Sequence, residues 1–349
     1  MSYKQRNATL DCLKFLCAII VVFIHANAQT DNVCTDSFYY NCFLYAVWAV
    51  CPVEIFILIT GVFLFRDAFD FDKSCFIDDI YLNRIKKYIS LYLFWSVLYL
   101  PNLISRVVQL INEDNSLIVI CLFLIKRFFV TGTTGILWYM VGIIYSFILL
   151  HYLLPRYNDC IVAFLAILLY VFSAISGSYY HLLINFPYLK SVYDILLKYT
   201  GHFYVLKVPI FMLIGYYLNK YNILSIIIKN DVKAKVIVLI SYLCSVYLIF
   251  LERGYCLSNS VGKAYSAYFC CLLTPTLLVI LAISFYITGN RLTAYLGNSS
   301  SIIYFTHWQF IMLYDYYSVN YNIWMCILYC TAVGLLLTYI KGRIKFTFL

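Results

Sequence analysis

The sequence predicts an all-α fold, a polytopic membrane bundle of about ten transmembrane helices forming one domain over residues 1–349, with both termini in the cytoplasm. Hydrophobic residues make up 64% of the chain, charged residues only 12%, and the mean hydropathy is +0.85, beyond what a soluble core needs. The apolar residues gather into runs close to the roughly 20 residues that a helix needs to cross hydrocarbon. Lys and Arg fall mainly on the side that the positive-inside rule assigns to the cytoplasm.

In chain order the runs are 10–28, 40–65, 88–112, 135–155, 160–178, 203–219, 235–251, 264–287, 294–317 and 322–340. Those that fall short are extended by Tyr and Trp, which sit well at membrane interfaces. No A-x-A-like site and soluble domain follow the first run, so it reads as a retained span and not as a cleaved signal peptide. One further run, 117–130 (LIVICLFLIKRFFV), is shorter and carries Lys126 and Arg127. With ten crossings, 17 of the 25 basic residues lie inside. An eleventh would move the KGRIK tail and the 220–235 loop to the wrong face, so 117–130 reads as interfacial or re-entrant. The net charge of +9 is then a matter of topology, and nucleic-acid binding is not expected.

No linker, low-complexity tract or extramembrane domain interrupts the helices. The 14 cysteines sit mostly inside apolar runs without C-x-x-C pairs, where they act as small hydrophobes. Cys34 and Cys42 share the first outer loop, where the sequence leaves open a disulfide or two free thiols. The informative loops are 66–87 inside, 179–202 outside, and the run Gly297-Asn298-Ser299-Ser300-Ser301, whose residue types suit ending one helix and capping the next.

Titratable groups at membrane depth are costly, which makes each a functional candidate. His25, Glu54 and His307 qualify, with Lys14 at the membrane edge. His25 follows Lys14 by eleven residues, close to three helical turns, so both face one side, separated by a rise of roughly 16 Å. Asp11 lies near that face. The span is comparable with the extended pantetheine arm of coenzyme A, so a cation at the mouth would hold nucleotide phosphates while an imidazole deeper in meets a thioester. The plainer reading makes Lys14 a topology marker and His25 a hydrogen-bonding partner of a neighbouring helix. Glu54, about mid-span after Pro52, suits either orienting an imidazole or satisfying a helix contact as a neutral acid. Arg84, Lys86 and Lys87 form a basic cluster fit for phosphate binding or for interfacial anchoring. His307 sits among aromatics in SIIYFTHWQF, as a structural group, a proton-relay member or a substrate contact. The motifs of ATP-driven, α/β-hydrolase, zincin and Rossmann proteins are missing.

Taken together, DCLKFLCAIIVVFIH, CPVEIFILITGVFLF, RIKKYISLYLFW, GILWYMVGIIYSFILLHYLLP, VPIFMLIGYYLNK and LGNSSSIIYFTHWQFI resemble, in order, the signature blocks of the acyltransferase 3 family of integral membrane acyltransferases. Asp11 and His25 match the first block, and Lys14 stands where arginine is usual. Glu54, Phe56 and Gly61 match the second, with Thr60 in place of serine. Lys87 replaces the second arginine of the third block, which also lacks its customary proline. Trp138 matches the leucine-tryptophan-phenylalanine helix, and His307 the second histidine. Lysine for arginine keeps the charge and loses the bidentate fork.

The resemblance implies a multi-pass enzyme of the bacterial cytoplasmic membrane. It would be an O-acyltransferase, most simply an O-acetyltransferase, carrying the acyl group of cytosolic acetyl-CoA to a hydroxyl of a cell-surface or lipid-linked glycan. Lys14, Arg84 and Lys87, with Arg66 and Trp138, would hold the coenzyme A portion. His25 would act as general base or acyl carrier, oriented by Glu54, with Asp11, Tyr304 and His307 around the substrate. No metal is expected, and acyl-CoA, a glycan acceptor and membrane lipids are the expected partners. A proton-coupled transporter or flippase of a glycolipid, using His25, Glu54 and His307 as a relay, is the reading from another class.

Overall fold

The computed structural model describes residues 6–28, 46–200, 203–223, 232–259, 267–317 and 322–344; Cys34 and Cys42 lie outside them. The elements are α1 (Ala8–Ala28), α2 (Pro52–Ala68), β1 (Phe69–Asp70), β2 (Cys75–Phe76), α3 (Asp78–Leu98), α4 (Leu100–Asn112), α5 (Leu117–Phe129), α6 (Trp138–Leu153), α7 (Asp159–Ser176), α8 (Pro187–Thr200), α9 (Val208–Lys220), α10 (Val232–Asn259), α11 (Thr274–Ser284), α12 (Arg291–Tyr317) and α13 (Ile323–Ile344). The chain is an all-α membrane bundle.

Among the described residues five helices are long and apolar enough to cross a membrane, Ala8–Asn27, Ala46–Ala68, Asp159–Ser176, Val232–Cys256 and Ile323–Arg343. A sixth is α3 with α4, if the pair is one span, bent by 58° at the break between them. Pro101 opens α4 there; its ring lacks an N–H and crowds the carbonyl four residues back. The other expected runs form shorter apolar helices or, in α12, a long helix rich in Ser, Thr and Tyr. The run 117–130 becomes α5, whose 13 residues rise roughly 20 Å, short of the hydrocarbon thickness.

Three local expectations change. The 179–202 interval is not a plain loop: it holds a 3-10 turn over Tyr180–Asn185 and then α8, and Tyr180, Leu183 and Tyr193 form a small core between them. Pro187 opens α8, where its missing N–H costs nothing. The run 297–301 does not break a helix. It lies inside α12, because the hydroxyls of Ser299, Ser300 and Ser301 donate to carbonyls three residues back and the backbone continues. The second span, in contrast, is interrupted: residues 46–49 are helical, Cys51 turns to φ 51°, and α2 restarts at Pro52. Glu54 therefore occupies the first turn of a restarted helix and not the middle of a continuous one.

The chain packs as two compact units, each discontinuous in sequence. The first comprises Met1–Phe56, Asn222–Phe250 and Cys270–Leu349, the second Ile57–Tyr221 and Leu251–Phe269. In the first unit α1 lies against α12 and α13, and the core joins Ala18, Val22, Phe23 and Ala26 to Ile303, Ile311, Cys326 and Cys330. Small side chains on α1 and α13 let the backbones close up, since no water is expelled to drive such packing in lipid. In the second unit α6 and α7 pack on α9, and α2 meets α9 through two glycines. A Cβ on Gly61 would lie 2.8 Å from the Met212 backbone, and one on Gly215 2.5 Å from the Val62 nitrogen.

Candidate active site

In the first unit the site is built on α1 and α12, which run side by side in the same sense: Asp11 meets Gly297 near one end, and His25 meets His307 further along. The backbone leading into α1 pairs with the one leading into α12, through an Asn7–Thr288 bridge and bonds between Ala8 N and Ile287 O and between Gly289 N and Arg6 O. This fixes the register of the two helices.

At the first end Asp11 is 3% exposed. It accepts hydrogen bonds from Arg6 Nε and Nη2, both at 2.8 Å, and pairs with Lys14 Nζ at 2.8 Å. Burial disfavours a carboxylate, and two cations within bonding distance offset that cost. Gly297 makes room, because a Cβ there would fall 2.2 Å from Asp11 Oδ1. Arg6 also donates to Asn298 Oδ1 at 3.1 Å, tying α12 to the cluster. Lys14, expected as a phosphate anchor, is thus engaged by Asp11. Two cations against one carboxylate still leave a net positive charge at this end.

Three turns further along α1, the half-buried His25 ring lies 5.1 Å from the ring of His307, centroid to centroid, at an interplanar angle of 31°. The edge of Trp308 meets it at 5.5 Å. His307 is fully buried, and its Nδ1 donates to the Tyr304 carbonyl one turn back. A carbonyl only accepts, so Nδ1 carries the proton and Nε2 keeps a lone pair. That Nε2 is buried and without a hydrogen-bond partner. The Tyr304 ring stands edge-on to His307 at 5.6 Å and to Phe56 at 5.7 Å. Glu54, 7% exposed, lies in the same unit in the first turn of α2.

The second unit holds the other expected residues. Arg66 and Arg84 do not stand free: Arg66 Nε bonds Asp67 Oδ1 at 2.7 Å, and Arg84 Nη2 bonds Asp67 Oδ2. The Arg66 guanidinium also lies over the Phe63 ring at 4.7 Å. Lys87 is exposed and makes no ion pair among the described residues. Trp138 sits elsewhere on the unit's height. Phe147 of α6 meets Tyr81, close to Arg84 on α3, whereas Trp138 is nine residues away at the opposite end of α6, a rise of roughly 14 Å.

The sequence reading missed two cations. Arg6 precedes the buried Asp11 by five residues, and that proximity is the only signal the sequence carries for it. Lys207 is 4% exposed, with its ammonium 4.9 Å from the Trp138 ring and 5.8 Å from Tyr204. Its signal was a lone charge immediately before the apolar block VPIFMLIG. Among the described residues no group of three or more His, Cys, Asp or Glu is arranged to hold a metal ion.

Fold and site together define a helical membrane protein in which a half-buried histidine stands beside a fully buried one, three turns from an end of net positive charge. A family model described as acyltransferase domain matches residues 7–341, nearly the whole chain, and the protein belongs to this family, acyltransferase 3. It is therefore an acyltransferase. Comparison with curated proteins and with solved structures finds no match.

Proposed function

We propose that the protein is an O-acetyltransferase of a bacterial cytoplasmic membrane, a single catalytic domain that moves the acetyl group of cytosolic acetyl-CoA to a hydroxyl of a cell-surface or lipid-linked glycan. The observation that carries this is the pairing of the Arg6–Asp11–Lys14 cluster with the His25–His307 pair on one helix face. The residual positive charge attracts phosphates, and the roughly 16 Å rise from Lys14 to His25 matches a pantetheine arm laid along α1. Within the second unit, Arg66, Arg84 and Lys87 are the cations this reading offers to a coenzyme A phosphate, with Asp67 giving way to it on Arg84, and Trp138 is offered to another part of the cofactor.

His25 takes the proton of the acceptor hydroxyl as that oxygen attacks the thioester, and returns it to the departing thiolate. Glu54 tunes the imidazole. The transporter reading loses its footing in a chain of acyltransferase family, since a transporter consumes no thioester.

The test is release of free coenzyme A from acetyl-CoA by purified protein in nanodiscs supplied with membrane glycans. His25→Ala is expected to reduce release at least a hundredfold while leaving the melting temperature within a few degrees. Full activity in that variant overturns the assignment.

A further inference from the structure

His307 Nε2 is a buried lone pair without a hydrogen-bond partner, as are ring nitrogens of His151 and His181, but at His307 a second histidine ring stands alongside. Its orientation is not free: the bond from Nδ1 to the Tyr304 carbonyl holds the ring and fixes the proton on Nδ1. The ring is 0% exposed, so a bulk-solvent partner does not explain Nε2. The nearest titratable ring is His25, 5.1 Å away, on a helix whose register to α12 is locked by the Asp11–Gly297 contact and the Arg6–Asn298 bond. His25 is half-buried, so it is the ring of the pair that a substrate reaches.

We infer that His307 is the positioning residue for His25: its Nε2 lone pair accepts the N–H of His25 when substrate binds, which selects the His25 tautomer whose other nitrogen faces the acceptor hydroxyl. The inference rests on the acyltransferase reading above and gives the orienting role to a neutral imidazole. Hydrogen bonds of this kind are commonly long without substrate and tighten in the reactive complex.

The proton inventory closes. The acceptor hydroxyl gives its proton to the free His25 nitrogen as its oxygen bonds to the thioester carbon. The carbon–sulfur bond breaks, and the thiolate takes the proton from His25. His25 is briefly an imidazolium, whose second N–H the His307 lone pair stabilises throughout, and His307 ends as it began. A chain of Tyr304 carbonyl, His307 and His25 thus does through backbone and imidazole what a carboxylate does in a Ser-His-Asp triad.

The test compares His307→Leu, of similar bulk but without an acceptor, with His307→Gln, whose amide oxygen reaches the Nε2 position and accepts a hydrogen bond. Steady-state kinetics of coenzyme A release are read for both in nanodiscs. The leucine variant is expected to lose kcat by about a hundredfold or more with KM for acetyl-CoA changed less than about threefold, and the glutamine variant to recover to within about tenfold of the parent. Equal loss in both variants, or an unaffected leucine variant, overturns the inference while leaving the acyltransferase reading intact. A parent protein that releases no coenzyme A sinks both. Imidazole nitrogen spectra of histidine-labelled parent protein need no variant to be active: a histidine with a protonated Nδ1 and bare Nε2, insensitive to bulk pH, is expected, and its absence overturns the inference.

Discussion

At the residue scale, the buried carboxylate of Asp11 is held by two cations, Arg6 and Lys14. Asp11→Ala strips Arg6 and Lys14 of their common partner and opens a gap against Gly297. The two cations are about one-fifth exposed, so water recovers part of the loss, and the expected cost is about 1–3 kcal/mol, read as a fall in melting temperature in detergent. Much of this cluster was legible. The eleven-residue interval from Lys14 to His25 placed both on one face of α1, because helical periodicity is a property of the local chain. What spacing did not reveal is which groups those side chains meet. His25 meets His307 from the far end of the sequence, and Arg6 enters through a backbone pairing with residues 287–289, which no periodic pattern announces.

At the element scale, glycines decide where helices approach. Gly215→Ala places a methyl 2.5 Å from the Val62 nitrogen and 2.6 Å from the Gly61 carbonyl carbon, backbone atoms that cannot swing aside. The expected penalty is about 1–3 kcal/mol, seen as a lower melting temperature. Gly254→Ala, on α10, has nothing within 4 Å of the new methyl and serves as the comparison. It is expected to be neutral or stabilising by up to about 1 kcal/mol, through a less flexible unfolded chain. The same scale explains where element boundaries escaped the sequence. Gly-Asn-Ser-Ser-Ser has the residue types of a break, yet in a low-dielectric setting serine hydroxyls satisfy themselves on their own helix and glycine serves the neighbour's carboxylate. Cys51, which carries no signal for positive φ, is where the second span interrupts.

At the scale of the whole molecule, topology follows from charge. The positive-inside arrangement predicts that the Asp70–Cys75 hairpin and the C-terminus face the cytoplasm and that Tyr188, 91% exposed at the start of α8, faces outside. Alkaline phosphatase, active only outside the cytoplasm, is expected to be active when fused after Tyr188 and inactive when fused after Lys73, while a fluorescent protein at the C-terminus fluoresces. The reverse pattern overturns the topology and with it the assignment of the Asp11 end to the cytosolic donor.

The amino-acid sequence by itself determined the helical class, the membrane as solvent, and the alignment of Asp11, Lys14 and His25 along one helix. These follow from composition and from a period of 3.6 residues, both readable without knowing any neighbour. Only the tertiary structure decided that His307 faces His25, that the Tyr304 carbonyl fixes its tautomer, that Asp11 engages Lys14 and Arg6, and that Asp67 engages Arg66 and Arg84. The physical reason is that apolar helices in lipid look alike to one another. Which of them pack, and at what register, depends on small residues and paired charges at a few crossings, so the chemistry of a contact is encoded in the crossing and not in either helix alone.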